Sequence, residues 1–364
     1  MKRTGPEKKH RKVIRRLTGT ALIICALILL SSGCTKRIYD VVYPTLNDGK
    51  YDTEFPYKDC SDQLERIAGT IKRLNHIAYY TAHILPYEAG ITRAGIKDIK
   101  LQDSAIQTST YHQTASGTAT VIYADGRRVA LMTCAHIIYA PDTLVTYYQE
   151  APDHRGPRYV QSVSIKQRQS NYVIDIPDGG DMQILAMDNR KDIAIIGKSN
   201  QTSDRTPPVF DYPAGKARKL EWGSFVYVMG FPVGNKMITR GIVSNPKHDT
   251  SGSFLVDALF NRGFSGGLVL AIKDGVPNFE LVGMAKSVSA ASEYVLHPEQ
   301  TVSQYQYDPT VSYTGKLYVR LKKDINYGIT HALSMEAIRD FFNENKSEFN
   351  GRGFYFESFL GKND

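Results

Sequence analysis

The segment Asp257-Ala-Leu-Phe-Asn-Arg-Gly-Phe-Ser-Gly-Gly267 sets a serine in a glycine-dense turn between two short apolar runs, 254–256 and 268–272. Runs of this length, rich in β-branched and aromatic residues and bounded by turn residues, read as strands. The same texture extends outward in both directions from about residue 105. Upstream lie 119–123, 128–133, 144–148, 159–165, 172–176, 182–187 and 192–197, then a polar, Pro- and Lys/Arg-rich break over 199–219, then 225–229 and 237–243. Downstream lie 281–285, 317–321 and 327–329. Many short strands without interleaved helices predict an all-β fold, and their division about the break at 199–219 predicts two barrels in tandem.

Helical signals flank this region. Ser61 and Asp62 can cap a helix whose apolar positions Leu64, Ile67, Ile71, Leu74 and Ala78 step by three and four, with Pro86 as its stop. A second amphipathic helix is expected over 334–348, capped by Ser334. The expected organisation is a signal segment over 1–33, a tether over 34–60 and a helical extension over 61–104. The β domain follows over 105–345, with barrel 1 at about 105–198 and barrel 2 at about 220–333, and a tail over 346–364 closes the chain. A Tyr/Gln/Ser-rich loop, 296–315, separates two late strands and carries Tyr305, Tyr307 and Tyr313.

At 364 residues, 42% hydrophobic and 23% charged, the chain has ordinary globular composition, which excludes a disordered or fibrous protein. Its +8 charge is local. Residues 1–16 hold eight Lys/Arg against Glu7 alone, leaving 37 basic and 36 acidic residues from Cys34 onward. The body therefore offers no electrostatic footprint for nucleic acid.

Behind the basic start comes the apolar run 21–30, then Ser31-Ser32-Gly33-Cys34. Ten residues rise about 15 Å as a helix, too little to span a bilayer core of about 30 Å. A charged start, a short apolar core and small residues before a cut site describe a secretory signal. The Gly33-Cys34 ending resembles a bacterial lipoprotein signal, although Ser31 stands where that motif usually has Leu. The resemblance implies lipidation of Cys34, a membrane anchor, and export to the bacterial cell envelope, facing the periplasm or the cell surface. With Cys25 in the signal, only Cys60 and Cys134 remain as a possible pair, so no disulfide scaffold is expected. No spacing suits zinc, and neither a metal nor another cofactor is expected.

Three segments carry candidate chemistry: Leu131-Met-Thr-Cys-Ala-His136, Arg190-Lys-Asp192-Ile-Ala-Ile-Ile196, and the Ser265 turn. Taken singly, each residue is an ordinary turn, cap or loop residue. Together they supply a nucleophile, a base and a group to orient the base, which amide hydrolysis requires. The backbone N–H groups of Gly263 and Ser265 can converge on one oxyanion, and glycine permits the dihedrals that this turn needs.

At these residues the sequence resembles the trypsin-like serine proteases, most closely the HtrA/DegP branch. The resemblance spans about 115–340 and includes Ser116-Gly-Thr-Ala-Thr-Val-Ile122, Gly230-Phe-Pro-Val-Gly234, Arg240-Gly-Ile-Val-Ser244 and Tyr327-Gly-Ile-Thr-His-Ala-Leu-Ser-Met335. It implies a chymotrypsin-like pair of six-stranded antiparallel barrels, a triad of His136, Asp192 and Ser265 between them, and an acyl-enzyme. It also places Leu259, Gly283, Met284 and Ala285 around the pocket for the side chain preceding the cut bond, implying cleavage of proteins or peptides after small or medium apolar residues. The loop 296–315 would then lie beside that pocket, as a lid or as a surface insertion. Phe264 departs from the family, which has a small polar or acidic residue there, so activation by a newly cut N-terminus looks closed. Too few residues follow Phe341 for the PDZ domain of HtrA proteins. The alternative expectation is a catalytically inactive lipoprotein that keeps the barrels as a binding or scaffolding module.

Overall fold

The computed structural model describes residues 47–148, 156–176, 180–199, 205–250, 252–298, 308 and 310–361. The signal segment, Cys34, Tyr305 and Tyr307 lie outside these residues.

The second half has the expected architecture. Strands β8 (Phe225–Gly230), β9 (Met237–Asn245), β10 (Ser253–Val256), β11 (Leu268–Ile272), β12 (Phe279–Pro298) and β13 (Leu317–Ser334) close a barrel in the order β10-β13-β12-β11-β8-β9. All five residues of β11 are buried, as expected of a strand covered on both faces. β12 and β13 run well past the barrel as a two-stranded ribbon, paired as far as Pro298 and Leu317. Residues 296–298, expected in a loop, therefore belong to a strand. On one ribbon face Tyr294 stands opposite Leu321, and Leu296 opposite Val319, all four exposed.

The first half departs from a six-stranded barrel. Strands β1 (Ile71–Ile84), β2 (Gln107–Ala124), β3 (Val129–Thr133), β4 (Thr143–Tyr147), β5 (Val160–Val173), β6 (Gln183–Asp188) and β7 (Ile193–Lys198) form a seven-stranded sheet ordered β4-β5-β1-β2-β3-β7-β6. The additional strand is β1, whose residues were expected to be helical. Helix α1 covers only Ser61–Thr70. Beyond it, Leu74, His76, Ala78, Tyr80 and Ala82 are buried in strict alternation. Leu74 and Ala78, four apart, fit both a helical and a strand period, whereas Ile77, Tyr79, Tyr80 and Thr81 favour strand. Pairing with both β2 and β5 decides the outcome. The first sheet thus begins at Ile71 rather than near residue 105, and residues 61–104 are not a helical extension. Within that stretch only α1, two short 3-10 turns and the single turn α2 (Leu101–Ser104) are helical.

The two ends are also better docked than expected. From the supposed tether, Tyr51 and Asp52 are buried against barrel 2, where Tyr51 donates to Glu280 at 2.7 Å and Asp52 N–H to Ile272 O at 2.9 Å. Ser334 caps α4 (Met335–Glu344) by accepting from Ala337 N–H. The supposed tail folds into α5 (Lys346–Gly351) and α6 (Glu357–Leu360), burying Phe349, Phe354, Phe356 and Phe359 in the main core. Tyr123 of β2 meets the rings of Phe354 and Phe356 at 5.6 and 5.8 Å. No described helix is long and apolar enough to cross a membrane.

Candidate active site

The strand β3 is buried along its whole length and delivers the chain to a single helical turn, α3 (Ala135–Ile138). Ala135, Ile137 and Ile138 turn into the core, so His136 is left facing outward. Its Nδ1 lies 2.8 Å from Asp192 Oδ2, and its backbone N–H donates to Asp192 Oδ1 at 2.9 Å. An ionised carboxylate only accepts, so Nδ1 carries the proton and Nε2 keeps its lone pair. Asp192 holds a left-handed backbone, φ 62°, immediately before β7. That conformation costs a non-glycine residue about 1–2 kcal/mol, and here it presents both carboxylate oxygens to one histidine.

Ser265 enters from barrel 2. Gly263, at φ 108°, passes so close to Phe231 O that any side chain there would collide with it. The turn is closed by Phe264 N–H to Asn261 O at 3.1 Å and Gly267 N–H to Phe264 O at 2.8 Å. Among the described residues, neither the Gly263 nor the Ser265 N–H finds a protein acceptor. Both remain available to a developing oxyanion.

A residue without an expected role holds this turn in place. Thr118 of β2 donates its backbone N–H to Ser265 O at 2.8 Å and its hydroxyl to Gly263 O at 2.7 Å. The same hydroxyl accepts from Phe231 N–H at 2.9 Å. Its sequence signal is slight, because a threonine in a strand is commonplace.

Phe264 does not enter the oxyanion site. It is buried in the barrel 2 core with its ring 5.7 Å from that of Phe260. Gly230 leaves the room, since a Cβ there would meet Phe264 Cδ1 at 2.9 Å.

The four residues expected around the substrate pocket differ in their surroundings. Leu259 is 64% exposed. Gly283 is enclosed between Leu333 O and Phe254, and Met284 is fully buried in the main core. Ala285 contributes backbone alone, accepting from Gly266 N–H at 2.8 Å and from Cys134 Sγ at 3.5 Å. β12 is buried on both faces until it leaves the barrel, so residues 281–285 are all enclosed.

His136, Ser265, Gly263 and Arg262 instead line a cleft of about 780 Å³ that runs onto β1 and β2. Ser265 Oγ and His136 Nε2 share this cleft without a hydrogen bond between them among the described residues. Such contacts commonly tighten only when substrate binds. Cys134, His136 and Asp192 bring potential ligand atoms within 4.8 Å of one another. Burial, reinforced by the Asp192 charge, pushes the Cys134 thiol well above its usual range. It is then a protonated donor and not a metal ligand. Cys60 and Cys134 are both buried, free thiols.

No curated protein matches the sequence. Among solved structures, the serine endoprotease from Yersinia pestis shares 15% identity, with 80% of this chain and 67% of that one covered and a TM-score of 0.38. An inactivated protease paralogue of the scabies mite shares 10% identity, with 76% and 93% covered and a TM-score of 0.31. The sequence over 117–284 matches the family described as trypsin-like peptidase domain. His136, Asp192 and Ser265 all fall within that match, which covers a little under half of the chain.

Proposed function

We propose that the protein is a serine endopeptidase in which Ser265 attacks the peptide carbonyl. His136 Nε2 takes the hydroxyl proton and returns it to the leaving amine, and Asp192 holds the imidazole in the productive tautomer. The acyl-enzyme is then hydrolysed by water through the same base. The observation that carries this reading is the His136–Asp192 pair facing one cleft with Ser265 and two unpaired N–H groups. Phe264, turned into the core, leaves that oxyanion site open. The test is labelling by a fluorophosphonate probe together with digestion of a denatured generic protein. Both should occur with wild type and be lost in Ser265→Ala. Failure of wild type to label would leave an inactive binding module instead.

The second part of the proposal concerns location. The Gly33-Cys34 ending, after a basic and apolar leader, supports lipidation of Cys34 and a membrane-held enzyme of the cell envelope. Cys34→Ser should lose lipid labelling and leave the membrane pellet, while detergent-solubilised activity persists. Retention in the pellet would point to an uncleaved N-terminal anchor.

A further inference from the structure

The cleft that holds the candidate triad carries two guanidinium groups and no carboxylate among its lining residues. Arg73 projects from β1, and its guanidinium packs on Gly234, where a Cβ would meet Nη1 at 2.9 Å. Its Nε is buried and has no hydrogen-bond partner. Arg262 immediately precedes the oxyanion glycine, and its carbonyl accepts from Val233 N–H at 2.9 Å. Both arginines are therefore attached to the same short turn, 232–234. Among the described residues neither forms an ion pair. His76 lines the same wall, with Nδ1 2.8 Å from Asn171 Oδ1. Burial holds its pKa below the usual histidine range, so it stays neutral and adds no charge. The charge of this wall is that of two guanidinium groups, which do not deprotonate in proteins.

The group that best satisfies a guanidinium lining a cleft is a carboxylate, which can accept two parallel hydrogen bonds. Direction follows from chemistry. The imidazole that protonates the leaving amine must stand beside it. The cleft runs past His136 onto β1 and β2, and no residue of β12 lines it. We infer that Arg73 and Arg262 form a subsite for a substrate carboxylate on the leaving-group side of the cut bond. The carboxylate can be an Asp or Glu side chain or the terminal carboxylate of the substrate. The direction rests on the serine-peptidase reading, but the binding does not.

The experiment separates the two. Fluorescein-labelled, alanine-rich heptapeptides bearing one Glu or one Gln, each with a carboxylate or an amide terminus, are titrated into the Ser265→Ala protein by fluorescence anisotropy. An acidic peptide should bind about tenfold or more tightly than its neutral match, in line with a charged hydrogen bond. That advantage should vanish when Arg73→Gln and Arg262→Gln are added, and Arg73→Lys, which keeps the charge but not the fork, should retain part of it. Advantage for the Glu amide peptide identifies a side-chain carboxylate, and advantage for the Gln acid peptide a chain terminus. Equal affinity of all four peptides for a folded Ser265→Ala protein overturns the inference. Fluorophosphonate labelling of wild type reports the catalytic reading independently.

Discussion

The backbone N–H of Thr118 donates to Ser265 O at 2.8 Å, joining a strand of the first sheet to the glycine-rich Ser265 turn of the barrel. The Thr118 hydroxyl adds contacts to Gly263 O and Phe231 N–H, so one side chain fixes both ends of the turn. Thr118 is fully buried, and water cannot replace these bonds.

Replacing the hydroxyl should therefore cost turnover more than binding. Thr118→Val keeps the shape but leaves two buried polar groups unpaired. We expect a kcat loss of about 10²–10³, the range for a lost oxyanion donor, with a smaller change in KM. Thr118→Ser should recover most of it. Steady-state kinetics within twofold of wild type for the valine variant would show that the turn holds itself.

Asp192→Asn isolates the orienting role. Asparagine tolerates a left-handed backbone, but its amide lets the imidazole adopt the wrong tautomer. A kcat loss of about 10⁴ is expected with little loss of stability, measured as turnover beside a thermal melt. A loss below tenfold would remove Asp192 from the catalytic machinery.

Phe264 sets the turn from behind. Phe264→Ala removes a fully packed ring beside Phe260 and should destabilise the fold by about 3–5 kcal/mol, read by denaturant unfolding. Phe264→Leu should lose much less stability and keep fluorophosphonate labelling. Equal damage from both substitutions would mean that the ring's shape, not its burial, is what counts.

Asp52 gives a pH-dependent test of stability. Burial lifts its pKa to about 6, against the pull of Gly275 N–H at 3.1 Å. Between its ordinary value near ~4 and about 6, the folded chain keeps a proton that the unfolded chain has released, so stability falls as pH rises. Asp52→Asn, permanently neutral, should gain on the order of 1 kcal/mol above pH ~6 and nothing below pH ~4. Melting curves with an equal offset at both ends would contradict the assignment.

Much of this was legible in the sequence, for identifiable reasons. The run of five apolar residues in β11 and the Ser265 turn between strands needed no tertiary information. The His136–Asp192 pair was found because each residue sits at a strand end with apolar neighbours. β1 was misread because Leu74 and Ala78 satisfy two periodicities, and only its partners β2 and β5 break the tie. Thr118 was missed because its role lies in three hydrogen-bonding partners more than a hundred residues away. The exposure of Leu259 and the burial of Met284 were not legible, because a resemblance in sequence cannot reveal which way a side chain points.

The closure of the second barrel has a consequence in time. Its last-made strand, β13, fits between β10 and β12, so the ring of hydrogen bonds cannot close until Ser334 has been synthesised. The rings that meet Tyr123 of β2, Phe354 and Phe356, come later still, between α5 and α6. A chain emerging from its N-terminus thus presents His136 and Asp192 first, then Ser265, and gains the support that aligns them only at the end. A chain stopped before residue 317 would carry His136, Asp192 and Ser265 without β13, and so without the closed barrel that seats the Ser265 turn.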